Sequence, residues 1–181
     1  MSQSYLKNIF ESLQEAADKK SHPFRIFTLG TVGLDRMARL RIVVLRGITE
    51  DKELLFYTDR RSKKVTHMKE NNKVGMLFYD QENKIQLKAE GIATLVKDKD
   101  TLKGYWNDIA EENRKDYTSA TPPGSIVDNP DNVEFLKDKD YFTAVKVTLY
   151  KLEYLHLQPV SHIKVRYSKL EGSWISEYLV P

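Results

Sequence analysis

The chain has 181 residues, of which 40% are hydrophobic, enough for one domain with its own core and too few for two full ones. It contains no cysteine, which excludes disulfides, thiolate metal sites and cysteine nucleophiles and leaves any redox chemistry to a borrowed cofactor. The 29 basic and 26 acidic residues are spread along the chain, so the net charge of +3 is weak support for a nucleic-acid partner.

Residues 1–17 carry Leu6, Ile9, Phe10, Leu13 and Ala17 at helical spacing, and the N-terminal helix, taken over 1–20, ends before Pro23. This stretch lacks the apolar centre of a signal peptide, and no run in the chain approaches the about 20 apolar residues that cross a bilayer. The expectation is a cytoplasmic protein with no membrane partner. Two antiparallel strands follow, 24–31 and 36–46, joined through Gly33-Leu34-Asp35. Residues 53–58 form a third strand, 62–71 a helix, 73–79 a fourth strand and 84–96 a long fifth, with Gly91 as a bend or bulge. A helix is expected over 101–117. The span 117–139 holds Pro122-Pro123-Gly124 and Asp128-Asn129-Pro130, strong loop signals. Strand-like composition returns over 141–157, 161–168 and 174–178. Short antiparallel strands with a few flanking helices give an α+β, mainly β chain, closed or partly closed as a barrel in one domain over 1–181.

Two segments carry the chemistry. The run 42–45 is apolar without alternation, so it needs cover on both faces: the core on one, and a helix, a ligand or a partner subunit on the other. Arg41 and Arg46 flank it, and a long cationic side chain beside a buried strand needs an anion or a route to solvent. Further on, Ser62 stands at the N-cap position of a helix whose first turn carries Lys63 and Lys64. Positive charge at the positive end of a helix is unfavourable until an anion sits there, and helix starts are common phosphate sites. Apolar strands beside a phosphate-seeking cluster suit a flat, phosphorylated cofactor, which points to flavin mononucleotide (FMN). The four histidines show neither HxxxH nor HxH spacing, so no metal is expected. There is no phosphate loop, dinucleotide fingerprint or nucleophile elbow, which sets aside nucleotide hydrolysis, Rossmann binding and ester hydrolysis.

Arg41-Ile42-Val43-Val44-Leu45-Arg46, Phe56-Tyr57-Thr58, Ser62-Lys63-Lys64, Asn71-Asn72, Gln86 with Gly91, and Trp174 with the terminal Leu179-Val180-Pro181 resemble, in order and spacing, the pyridoxamine 5′-phosphate oxidase family of FMN-binding split barrels. The resemblance implies an antiparallel split β-barrel with flanking helices, a homodimer, and FMN at its interface. It implies that Arg41, Ser62, Lys63 and Lys64 hold the FMN phosphate. Ile42, Val43 and Val44 support the isoalloxazine ring, Tyr57 and Thr58 lie beside it, Gln86 bonds its edge, and Arg166 reaches it from the second subunit.

The substrate signature is less complete. Arg46 and Tyr105 stand near the family's substrate-phosphate positions, and His162 and Lys164 occupy the place of an arginine–x–histidine pair. Arg114 and Tyr117 are displaced, and Leu155 replaces a flavin-contacting tryptophan. No catalytic residue is assigned. These departures resemble the uncharacterised FMN-dependent branch more than the vitamin B6 oxidase. The expectation is an FMN-dependent oxidoreductase acting on a small molecule. The alternatives are a true pyridoxamine or pyridoxine 5′-phosphate oxidase and a flavin- or haem-binding barrel without turnover.

Overall fold

The computed structural model describes residues 2–181. Helix α1 (Ser2–Asp18) buries Ile9, Leu13 and Ala16 on one face, as its apolar spacing requires. Its last carbonyls, of Ala16 and Ala17, accept from the Arg25 guanidinium, so a cation closes the negative end of the helix. A short 3-10 turn (Pro23–Arg25) leads into β1 (Ile26–Val32), β2 (Ala38–Ile48) and β3 (Leu54–Asp59). Helix α2 (Lys63–Glu70) precedes β4 (Lys73–Asp80) and β5 (Ile85–Leu95). Helices α3 (Lys99–Asn107) and α4 (Glu111–Arg114) follow, then β6 (Phe142–His156), β7 (Ile163–Leu170) and β8 (Ser173–Tyr178).

All eight strands form one antiparallel sheet in the order β3-β2-β1-β4-β5-β6-β7-β8, and a further β3–β6 pairing closes its first six strands into a barrel. The 15-residue β6 makes this possible: Phe142 to Val147 pair with β3, while Lys151 to His156 pair with β7. Inside the barrel Phe27, Leu29, Phe56, Phe78 and Leu87 are almost fully buried, with Phe27 stacked on Phe78 at 4.7 Å between centroids. Cutting Phe27 back to alanine would cost about 3–5 kcal/mol. Gly91 sits at a register shift in β5, where an added Cβ would lie 2.5 Å from Val147 and 2.8 Å from the Thr148 carbonyl, so only glycine fits.

One predicted element divides. The helix expected over 101–117 is α3, α4 and a 3-10 turn (Lys115–Tyr117). Asp98 starts α3 by accepting from Thr101 N at 2.7 Å, and the chain breaks at Asn107-Asp108, both poor helix formers. The break lets Ile109 turn into a second cluster with Leu55, Tyr117, Phe142 and Ala144, and that burial outweighs helix continuity. The 117–139 span is largely loop but has a neck. A Ser119–Phe135 bridge is flanked by Ala120 N donating to Glu134 O and Leu136 N to Thr118 O, both at 2.8 Å.

Candidate functional site

Strands β2 and β3 pair only through Leu45, Gly47 and Ile48, with a register shift between the first two. Toward residue 42, β2 bonds only to β1, and over Tyr57 to Asp59 β3 bonds only to β6. Two strand edges therefore diverge with backbone donors and acceptors left open between them. The cavity in this gap is about 290 Å³, and its wall includes Ile42, Val43, Val44, Arg46, Tyr57, Thr58 and Lys64. A larger groove of about 550 Å³ runs between α1 and Trp174. Its lysines are already engaged, Lys7 with Glu11 at 3.5 Å and Lys52 over the Phe10 ring, so the smaller cavity is the better site for an anion.

At the phosphate end, Lys64 Nζ donates to Thr58 Oγ1 at 2.9 Å and Ser62 Oγ at 3.4 Å. Ser62 occupies the N-cap position of α2, but its hydroxyl makes no cap bond and faces Thr58 and Lys64 instead. Arg41 extends from β2 toward the same place. It donates to Leu29 O at 3.2 Å and Thr31 Oγ1 at 2.7 Å, and the buried Thr31 meets His67 Nδ1 at 3.0 Å. Among the described residues, neither Arg41 nor Lys64 has a carboxylate within ion-pair distance. Burial and then the Arg41 charge hold the Lys64 ammonium below its ordinary value, and burial does the same for Arg41. Asp59, the nearby acid, is committed to Arg61 at 2.7 Å. Two unneutralised cations at the start of a helix, with two hydroxyls between them, fit a phosphate ester.

At the other end, Arg46 has its guanidinium 5.7 Å from the Tyr57 ring and beside the Tyr117 hydroxyl. Burial pushes the Tyr57 phenol up to about 12, so it remains a neutral donor at any ordinary pH. Tyr105 packs behind Tyr57 at 5.6 Å, and Phe142 stands edge-on at 5.0 Å.

The remaining expected residues lie elsewhere. Lys63 is exposed and outside the cavity wall. Gln86, on β5, and Arg166, on β7, are each three strand steps from β2, Arg166 by way of the β3–β6 closure, about 14 Å along the sheet, and both lie on its outer face. Arg166 pairs with Glu177 at 2.8 Å and Lys164 with Glu153 at 3.8 Å, while His162 is exposed before β7. Within one chain these residues do not meet the cavity. The run 42–45 has the core on one face, through Val43 and Leu45, but no helix on the other, where Ile42 is 71% exposed.

Four residues of this neighbourhood escaped the sequence reading: Thr31, Asp59, Arg61 and His67. Asp59 and Arg61 had a faint local signal, an acid two residues before an arginine at a strand end. Thr31 and His67 had none, because they meet across 36 residues of chain.

The sequence model described as the FMN-binding domain of pyridoxamine 5′-phosphate oxidase matches residues 3–97. The pyridoxine/pyridoxamine 5′-phosphate oxidase of Aliarcobacter butzleri is 32% identical over 105 residues, 58% of this chain and 49% of that protein. The chain thus spans about half the length of this curated relative. Two solved structures share the fold. A pyridoxamine 5′-phosphate oxidase-related, FMN-binding protein from Nostoc punctiforme has a TM-score of 0.80 at 21% identity, covering 97% of this chain and 96% of that one. PhzG from Burkholderia lata, solved with tetrahydrophenazine-1-carboxylic acid, has a TM-score of 0.78 at 18% identity, covering 99% and 92%.

Proposed function

Because the chain belongs to the pyridoxamine 5′-phosphate oxidase FMN-binding family, we propose that it is an FMN-dependent oxidoreductase acting on a small ring compound that carries a carboxylate or phosphate. The observation behind the substrate class is Arg46. It is a half-buried cation with no carboxylate partner among the described residues, on the same wall as Tyr57 and Tyr117 but at the opposite end from Lys64. The cofactor phosphate satisfies one pair of cations; Arg46 is left for a second anion. PhzG, with its ring-bearing carboxylic acid ligand, fits the same class.

When bound, FMN supplies reversible two-electron transfer. The chain's own residues bind and orient. Arg41 and Lys64 hold the phosphate, with Ser62 and Thr58 hydroxyls beside it. The open edge of β2 at Ile42, Val43 and Val44 presents backbone groups to the ring's polar edge. Arg46 and the Tyr117 hydroxyl grip the substrate's acidic group, while Tyr57, backed by Tyr105 and Phe142, walls the cavity and excludes water. Lys63 adds long-range positive potential rather than a contact.

The functional unit in this reading is a homodimer. The outer faces of β1, β2 and β4 expose Ile26, Leu40, Ile42, Leu77 and Tyr79 together, next to the cavity. Gln86 and Arg166 lie on the outer face of the same sheet, too far from their own cavity but available to a partner's. Tyr105 acts through Tyr57, while Lys164 and His162 would reach substrate only from the edges of such an assembly.

Anaerobic mixing of FMN-loaded protein with ring compounds, followed by flavin absorbance, tests the reading. Bleaching by a ring carboxylate or phosphate that is lost in Arg46→Met supports it. Equal bleaching by the uncharged analogue sinks the substrate class.

A further inference from the structure

Among the described residues Arg41 donates to two acceptors, the Leu29 carbonyl at 3.2 Å and the Thr31 hydroxyl at 2.7 Å. The direction of the second bond is not free. A guanidinium can only donate, so Thr31 Oγ1 is the acceptor and its own proton is left over. On its other side the hydroxyl meets His67 Nδ1 at 3.0 Å, and the tautomer of the ring sets which of the two donates. With the hydroxyl as donor, the ring nitrogen carries no proton of its own, and His67 is neutral with its proton on Nε2. We propose that Thr31 and His67 are positioning residues for the cofactor phosphate, a relay in which the neutral His67 ring orients the Thr31 hydroxyl and the hydroxyl holds the Arg41 guanidinium near Lys64, beside the phosphate end of the cavity. The inference rests on the reading of this site as the FMN phosphate site.

Packing alone does not call for a hydroxyl here. Thr31 is 3% exposed on the inward side of β1, where valine has the same shape without the polar atom. Burying a hydroxyl is unfavourable unless it is bonded, and here both its acceptor and donor functions are used. The charges around His67 keep it neutral. Arg41 and Arg39 face it from β2 and Lys63 from its own helix, against the single carboxylate of Asp35 in the β1–β2 turn. Burial acts in the same direction and lowers its pKa. A charged His67 would put a donor where Thr31 needs an acceptor and release the hydroxyl from its orientation.

Phosphate is the only part of FMN absent from riboflavin, so paired titrations of the two flavins separate positioning from structure. In Thr31→Val, FMN affinity should fall about 5- to 20-fold while riboflavin affinity stays within twofold of wild type. Thr31→Ser, which keeps the hydroxyl, should restore FMN binding. From the other end of the relay, His67→Leu should reproduce the selective loss, and His67→Gln, whose amide oxygen can accept, should relieve it. Nitrogen-15 NMR at neutral pH should find His67 Nδ1 unprotonated and Nε2 protonated. Loss of both flavins in equal measure, no loss of either, or a proton on Nδ1 overturns the relay. A wild type that binds FMN no better than riboflavin overturns instead the phosphate reading on which the relay stands.

Discussion

Arg61 lies over Tyr141 with its guanidinium 3.2 Å from the ring centroid, while the same group forks onto the nearly buried Asp59 at 2.7 and 3.1 Å. It also donates to the carbonyls of Ser119 at 2.8 Å and Ala120 at 3.2 Å. One side chain therefore ties the β3–α2 turn, which supplies Ser62 and Lys64, to the first side of the neck of the 117–139 loop and to Tyr141 just beyond that loop. That loop and the turn before it bring Pro123, Asp116 and Tyr117 to the cavity wall.

Arg61→Ala removes this tie and leaves the Asp59 carboxylate buried without its partner. The expected loss is about 3 kcal/mol, at the lower end for breaking a buried pair, or roughly 6–12 °C in melting temperature for a chain of this size. Limited trypsin digestion should then cut at Lys137 or Lys139 well before the barrel. A melting curve and digestion pattern like those of wild type would show that the loop is held by its own neck.

Lys64 predicts a proton count. Its pKa is lowered by burial and by Arg41, so without cofactor the folded protein binds fewer protons than the unfolded chain between that value and the ordinary lysine value of about 10.4. In that alkaline window stability of the cofactor-free protein rises with pH. A bound phosphate acts in the opposite direction and draws the proton back. FMN binding at alkaline pH should therefore take up a proton, seen by calorimetry in two buffers of different ionisation enthalpy, and the uptake should vanish in Lys64→Met. Arg41→Ala should weaken FMN by about 1.5–3 kcal/mol without unfolding the barrel. Buffer-independent heats for wild type would remove Lys64 from the phosphate site.

For the substrate, weak or absent turnover of pyridoxamine and pyridoxine 5′-phosphates is expected, because the arginine–x–histidine position is filled by His162 and Lys164 and a site missing a designed partner loses heavily. The FMN-loaded protein settles this in a steady-state assay. A kcat/KM of about 10⁴ M⁻¹s⁻¹ or more on either would make the vitamin B6 reading the right one.

The exposed face of β1, β2 and β4 predicts a dimer at micromolar concentration by light scattering. Leu77→Glu, on that face and away from the cavity wall, should weaken association at least tenfold and lower FMN affinity with it. A wild-type monomer carrying one FMN per chain would contradict this assembly.

Much of this protein was legible from the chain itself. Strand and helix positions follow from short-range periodicity, and the bulge at Gly91 and the cation cluster at Arg41, Ser62 and Lys64 follow from residue types with few other uses. The run 42–45 is covered by the core on one face, while Ile42 on the other is exposed. Only the tertiary structure decided that β3 parts from β2 beyond Phe56 while it stays paired with β6 along its whole length, because that pairing depends on residues more than 80 positions further on, through pairs such as Leu55 with Lys146 and Tyr57 with Ala144. The cavity is the gap where β2 and β3 part. Thr31 with His67, and Arg61 with Ser119, joined the site for the same reason: hydrogen bonds act over about 3 Å and have no sequence period, so partners on separate elements stay invisible until the fold brings them together.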